Sequence, residues 1–160
     1  MDLVILVGLQ ASGKSTFAQQ HLAATHDYVS KDLLRNNRQP GRRQAQLVAE
    51  ALQAGRSVVV DNTNPTIAER AALIRLGESC GARSVGYYFP TTASEALVRN
   101  RARIGQARVP DIAIYATRKK LVPPGLAEGF TVLYVVHLGT GGTFEVCRWQ
   151  EGQAAVDCPR

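Results

Sequence analysis

No apolar run in these 160 residues approaches the roughly 20 needed to cross a bilayer. A membrane partner is therefore not expected. Cysteine is scarce and odd in number: Cys80, Cys147 and Cys158 stand far apart. That spacing suggests neither a zinc site nor a disulfide framework, and three reduced thiols in a cytoplasmic setting are the expectation. The N-terminus carries Asp2 and lacks a basic stretch before its apolar run. A secretory leader is not expected either. No internal repeat is visible. Acidic residues are the minority, 13 against 19 Lys and Arg, for a net charge of +6.

What is present begins close to the N-terminus. Gly8-Leu9-Gln10-Ala11-Ser12-Gly13-Lys14-Ser15 fits the phosphate-binding loop pattern G-x-x-x-x-G-K-[ST] at every required position. An apolar run, Leu3-Val4-Ile5-Leu6-Val7, leads in, and a helix-compatible stretch over residues 16–24 leads out. Glycines let the backbone curl until several N–H groups face one anion. The following helix turns its positive end to the same place. Gly8, Gln10, Ala11, Ser12, Gly13, Lys14, Ser15 and Thr16 are thus the expected nucleotide-binding residues. Lys14 is expected to reach the β- and γ-phosphates of ATP, and the Ser15 hydroxyl to ligate Mg²⁺.

At 160 residues the chain suits one domain with a core that needs no disulfides. Strand-like runs alternate with helix-like stretches. Strands are expected over residues 3–7, 28–30, 57–61, 84–89 and 131–137. Helices are expected from 14 to 24, from 44 to 54 with Gly55 as the stop, and from Asn64-Pro65, with Asn as cap and Ile67, Ala71 and Ile74 on one face. Thr92 and Glu95 predict a capping box for a further helix. Residues 101–109 read as a basic loop, and Pro110 as the opening of a helix ending before Pro123-Pro124. Near-continuous apolar strands alternating with helices predict an α/β fold, a parallel sheet covered on both faces. With the loop on its first strand, this is a kinase-like P-loop NTPase fold with a basic lid. The domain is read as residues 1–138. Residues 139–160 are read as a turn, an edge strand over 143–149 and a loose tail, in the same domain or loosely attached.

Such a sheet gathers its site at the carboxyl ends of its strands, and the chemistry-bearing segments follow that rule. Asp32 stands just after the second strand, where a carboxylate can accept the proton of an incoming hydroxyl. Arg35, three residues on, shares its face if the segment is helical and can hold a substrate phosphate. A helix cap and its salt-bridge partner are the structural alternatives. Asp61 ends a strand of valines, the pattern of a Walker-B acid that holds Mg²⁺. Arg99, Arg101 and Arg103 alternate, so one or two of them face the phosphates as a lid. Basic charge clusters in two stretches, residues 31–43 at +4 and residues 95–120 at +5. That density suits either a polyanionic partner or a solvated basic surface.

Several of these segments together resemble the kinase domain of polynucleotide 5′-hydroxyl kinases, including the animal kinase–phosphatase repair enzymes and the phage T4 enzyme. The similar pieces are the loop over residues 8–15, Tyr28-Val29-Ser30-Lys31-Asp32, Val60-Asp61-Asn62-Thr63-Asn64-Pro65 and Asn100-Arg101-Ala102-Arg103. Val109-Pro110, Tyr115 with Arg118-Lys119, and Leu126-Ala127-Glu128-Gly129-Phe130 complete the set. The likeness covers residues 3–138. It implies ATP-dependent phosphate transfer to a 5′-hydroxyl end of DNA or RNA, with Asp32 activating the hydroxyl. Arg35 would contact a phosphate on the 3′ side of the acceptor. Arg101 and Arg103 would be the lid arginines, with Arg101 favoured as the charge stabiliser. Phosphatase and phosphopeptide-binding segments have no counterpart in this sequence. Two other readings stand beside this one. A small-molecule kinase would use the same loop, acid and lid but has little use for basic residues 35–43. A nucleotide-dependent binding module has no need of a hydroxyl-activating Asp32.

Overall fold

The computed structural model describes residues 1–150. Six strands form one sheet in the order β2-β3-β1-β4-β5-β6. They are β1 Asp2–Gly8, β2 Asp27–Val29, β3 Val58–Val60, β4 Arg83–Phe89, β5 Val132–Leu138 and β6 Phe144–Arg148. The first five are parallel, and β6 returns antiparallel on β5. Five α-helices cover the sheet: α1 Lys14–His21, α2 Pro40–Gln53, α3 Ile67–Ser79, α4 Ala93–Arg101 and α5 Asp111–Lys120. The expected α/β class and its helical cover are what the chain adopts.

The alternation of side chains along β1 builds both layers of the core. Leu3, Ile5 and Val7 point to one face, where Val48, Ala51 and Leu52 of α2 and Leu73 and Ile74 of α3 meet them. Val4 and Leu6 point to the other, against Phe17 and Ala18 of α1. A strand buried on both faces has no position for a polar residue, which is why it reads as an unbroken apolar run. A smaller cluster, Leu9, Ala96, Leu97 and Ile114, fastens the α4–α5 hairpin over the phosphate-loop end of the sheet.

Helix boundaries depart from the sequence reading in two instructive places. α2 starts at Pro40 rather than at residue 44, with proline in its first turn, where its fixed φ and missing N–H cost nothing. α3 starts at Ile67, and its cap is Thr66, which forms a capping box with Glu69. Asn64 is therefore not the cap. Its backbone is left-handed (φ 42°), and its amide donates to Leu6 O at 2.7 Å. The inward face of α3 carries Arg70, Leu73, Ile74 and Gly77, while Ile67 is exposed. The Thr92–Glu95 capping box of α4 is present as expected.

Cys80 is a free thiol. Cys147 is disulfide-bonded, contrary to the expectation of three reduced cysteines. Cys158 and the expected tail lie outside the described residues. No described helix is long and apolar enough to cross a membrane.

Candidate active site

The topology sets the location. Chain connections leave β1 in opposite directions, towards β3 and β2 on one side and β4 and β5 on the other. This creates a crevice at the carboxyl end of β1. The turn from β1 into α1 fills it with residues 8–15. Gly8 has φ 155°, and a Cβ there would come within 3.0 Å of the Phe89 side chain and of its carbonyl. Gly13 has φ 99° at the N-cap of α1, where a Cβ would meet the Phe144 ring at 3.2 Å. The two glycines thus answer to backbone conformation and to close neighbours alike.

Lys14 is 7% exposed, and its ammonium folds back onto the loop. It donates to Leu9 O at 2.5 Å, Gly8 O at 3.0 Å and Ser12 Oγ at 3.3 Å. Burial, with a smaller contribution from the Arg103 charge, holds its pKa down to about 8 against the pull of the Asp61 carboxylate. Such a lysine fits a place where an incoming polyphosphate restores the missing negative charge.

Asp61 sits at the end of β3, buried, and one of its oxygens accepts from both the Ser15 hydroxyl (2.5 Å) and the Tyr28 hydroxyl (2.5 Å). Burial, and next the bond to Asp61, push the Tyr28 phenol above its ordinary pKa. It stays a protonated donor at physiological pH. A hydroxyl and a carboxylate together at the phosphate cradle are hard oxygen donors of the kind Mg²⁺ takes. The residues present fit that ion.

One cleft of about 290 Å³ joins Lys14, Ser15 and Asp61. Its wall includes the loop from Gln10 to Thr16, then Asp32, Arg35, Asp61 and Arg103. Asp32 lies in a short 3₁₀ turn, Lys31–Leu34, that starts at Ser30, whose hydroxyl accepts from Asp32 N at 3.3 Å. Ser30 is the cap, so the carboxylate of Asp32 stays free for other work. It is 80% exposed and touches the Arg35 guanidinium at 3.3 Å, a contact that solvent screens. Residues 32 and 35 do share one face.

The lid arginines sort differently from the sequence reading. Arg103 lines the cleft and donates to Ala107 O at 3.1 Å. Arg101 is absent from the cleft wall; it is 62% exposed and paired with Asp111 at 3.3 Å. The cause is the end of α4. Buried Asn100 clamps the backbone of Val109 with both ends of its amide, at 2.7 and 3.0 Å. The clamp closes residues 101–109 into a tight loop that turns Arg103 inward. Gln10, expected at the nucleotide, does line the cleft, but its amide donates to Thr117 Oγ1 of α5 at 2.9 Å. Gly8, also expected at the nucleotide, is absent from the cleft wall and serves the loop through its carbonyl, which accepts from Lys14.

Sequence reasoning passed over Tyr28, Asn100 and Asn62 as working parts. Asn62 accepts from Lys31 N at 3.0 Å and donates to Gln44 at 2.7 Å, tying the Asp61 turn to the Asp32 turn. All three lie inside the quoted motifs, so the signal was present without its meaning.

A family model described as an AAA domain matches residues 3–124. The chain belongs to that P-loop family. It is 30% identical over 134 residues to the bifunctional polynucleotide phosphatase/kinase of Schizosaccharomyces pombe, covering 81% of this chain and 32% of that protein. It is 26% identical over 145 residues to a putative bifunctional polynucleotide phosphatase/kinase of Acanthamoeba polyphaga mimivirus, covering 84% and 33%. The chain spans about a third of the length of the curated relatives it matches. Among solved structures, Chaetomium thermophilum Kti12 with ADP-AlF3 superposes with a TM-score of 0.69 at 17% identity, covering 84% of this chain and 88% of that one. A gluconokinase from Sinorhizobium meliloti superposes at 0.61 and 19% identity, covering 85% and 82%. The fold is that of the P-loop kinases.

Proposed function

We propose that the chain transfers the γ-phosphate of ATP to the 5′-hydroxyl of a polynucleotide. One observation carries the reading: Asp32 lines the same cleft as the phosphate loop, with Arg35 beside it. In this reading the loop amides and Lys14 hold the β- and γ-phosphates. Asp32 accepts the proton of the attacking 5′-hydroxyl as its oxygen bonds to phosphorus, and ADP departs. Arg103 neutralises charge on the transferring group, and Arg35 grips a phosphate on the 3′ side of the acceptor. Ser15 and Asp61 would hold Mg²⁺, which when bound neutralises the phosphate oxygens.

The curated relatives' names support the polynucleotide as acceptor. So does the shallow depression lined by Arg38, Arg42 and Arg43, a few residues after Arg35 in the chain. Binding along it would run through phosphate contacts and weaken with salt. The test is transfer of labelled γ-phosphate to a 5′-hydroxyl oligonucleotide, set beside a panel of nucleosides and sugars. Label on the oligonucleotide end is the expected result. Label only on a small metabolite would make the chain a small-molecule kinase, and no label on either a nucleotide-dependent binding module.

A further inference from the structure

Two of the most particular motifs, Asp61-Asn62-Thr63-Asn64-Pro65 and Leu126-Ala127-Glu128-Gly129-Phe130, are joined through a residue in neither, Arg70, which stands 58 positions before Glu128. Only the first has a role so far. They meet at Arg70, whose side chain is fully buried. Its Nε and Nη2 donate to the two Glu128 carboxylate oxygens at 2.7 and 2.8 Å. Its Nη1 donates to Asn64 O at 3.0 Å and Pro65 O at 3.2 Å. Glu128 is held in turn by Gly125 N at 3.0 Å.

We propose that the Arg70–Glu128 pair is a positioning element that seats the Asp61–Pro65 turn against the phosphate loop, and so aims the Asp61 carboxylate at the metal of the nucleotide complex. This rests on the reading of Ser15 and Asp61 as the metal's holders.

The contacts run in one direction through that turn. At its far end Arg70 grips two successive carbonyls. In its middle Asn64 is held left-handed with its amide on Leu6 O (2.7 Å), and Thr63 O accepts from Gly8 N at 3.1 Å. Gly8 opens the phosphate loop. At the near end Asp61 meets Ser15. A left-handed asparagine persists only where its surroundings enforce it, and the guanidinium on its carbonyl is one of those surroundings. A charge pair whose guanidinium is fully buried and whose carboxylate is nearly so is a costly way to join a helix to a turn, since apolar residues of equal volume often stabilise as well. A bidentate fork supplies direction instead. Arg70 is not part of the cleft wall. It acts through the turn.

The experiment replaces the pair as a unit, Arg70→Met with Glu128→Leu, so that no lone charge is buried. Thermal melting checks the fold. Mn²⁺ binding to the protein–ADP complex, read by electron paramagnetic resonance, reports the metal site without any acceptor. The expected result is a folded protein whose Mn²⁺ affinity in that complex is lower by about tenfold or more. ADP affinity in EDTA should stay at the wild-type value, because the loop residues are untouched. Glu128→Gln keeps the shape and one acceptor and should fall between. Wild-type Mn²⁺ affinity in the folded double variant would overturn the proposal and leave the pair a packing feature. If the double variant does not fold, wild-type Mn²⁺ affinity in Glu128→Gln overturns it instead. A failure of the acceptor reading looks different: the wild-type protein would bind Mn²⁺·ADP and label no oligonucleotide.

Discussion

The Ser15 hydroxyl and the Asp61 carboxylate, 46 positions apart in sequence, stand 2.5 Å from one another across the phosphate-loop cleft. The contact exists because β1 and β3 are parallel neighbours, paired Ile5 to Val60. Their carboxyl ends deliver the loop and the acid to one place. Asp61→Asn removes the charge and keeps the shape. It should raise the Mg²⁺ concentration needed for half-maximal turnover by about 10- to 100-fold, the range found for groups that tune a metal site. A Mg²⁺ titration of the phosphotransfer rate checks it, and an unchanged curve would remove Asp61 from the metal.

Asp32→Ala should keep ATP binding and lose transfer by about 10²- to 10⁴-fold, the usual contribution of a general base. The exposed carboxylate supports little structure, since Ser30 caps the turn. Equilibrium ATP binding and single-turnover transfer separate the two effects. Undiminished transfer would assign the base elsewhere.

Arg103→Ala should cost about 10³-fold or more in rate, as removal of a phosphate-facing arginine does. Arg101→Ala breaks only an exposed pair with Asp111, a kind of contact worth at most about 1 kcal/mol. Its effect on rate should be small. Comparing kcat for the two variants decides between them, and the reverse ranking would mean that the lid rearranges around nucleotide.

Lys14 makes stability and ligand binding respond to pH in opposite senses. Its pKa falls from the ordinary 10.5 to about 8 in the folded protein. Between those values the unfolded chain holds more protons, so stability without nucleotide rises with pH across that window. The buried charge is a burden below about 8, relieved as it titrates. Nucleotide phosphate favours the charged form, so ATP affinity should fall from pH 8 upward. Calorimetry in buffers of different ionisation enthalpy should show proton uptake on binding there. Lys14→Met should abolish that uptake; its persistence would point to another group.

Thr92→Ala removes half of the α4 capping box and should cost about 1 kcal/mol. For a chain of this length that is about 2–4 °C in Tm. The Thr92 backbone N–H, then its hydroxyl, hold the Glu95 carboxyl below its ordinary 4.5. That contribution is present at neutral pH and lost as pH falls below 4.5. The penalty of Thr92→Ala should therefore shrink in acid, as paired melts at pH 7 and below 4 would reveal.

The loop, the alternation of strands and the positions of Asp32 and Asp61 were legible because each is announced within a few neighbouring residues. A phosphate loop is a local backbone shape, and an acid ending a run of valines marks its own strand end. Arg101 and Arg103 were not separable, because their fates depend on Asn100 reaching Val109, nine positions on. Nor was Asn64, which looks like a cap beside Pro65 until β1 supplies a carbonyl. Arg70 was the least legible. Arginine on a helix reads as solvent-facing, and only a carboxylate brought from far along the chain makes its burial tolerable.

Phe144, on the antiparallel strand β6, leans on Gly13 and stacks edge-on to Phe17. The strand Phe144–Arg148 is thus a doorstop behind the phosphate turn. Shortening the protein at the natural-looking boundary after β5 would take away the surface that the second glycine rests upon. Anyone trimming it for expression should keep the returning strand.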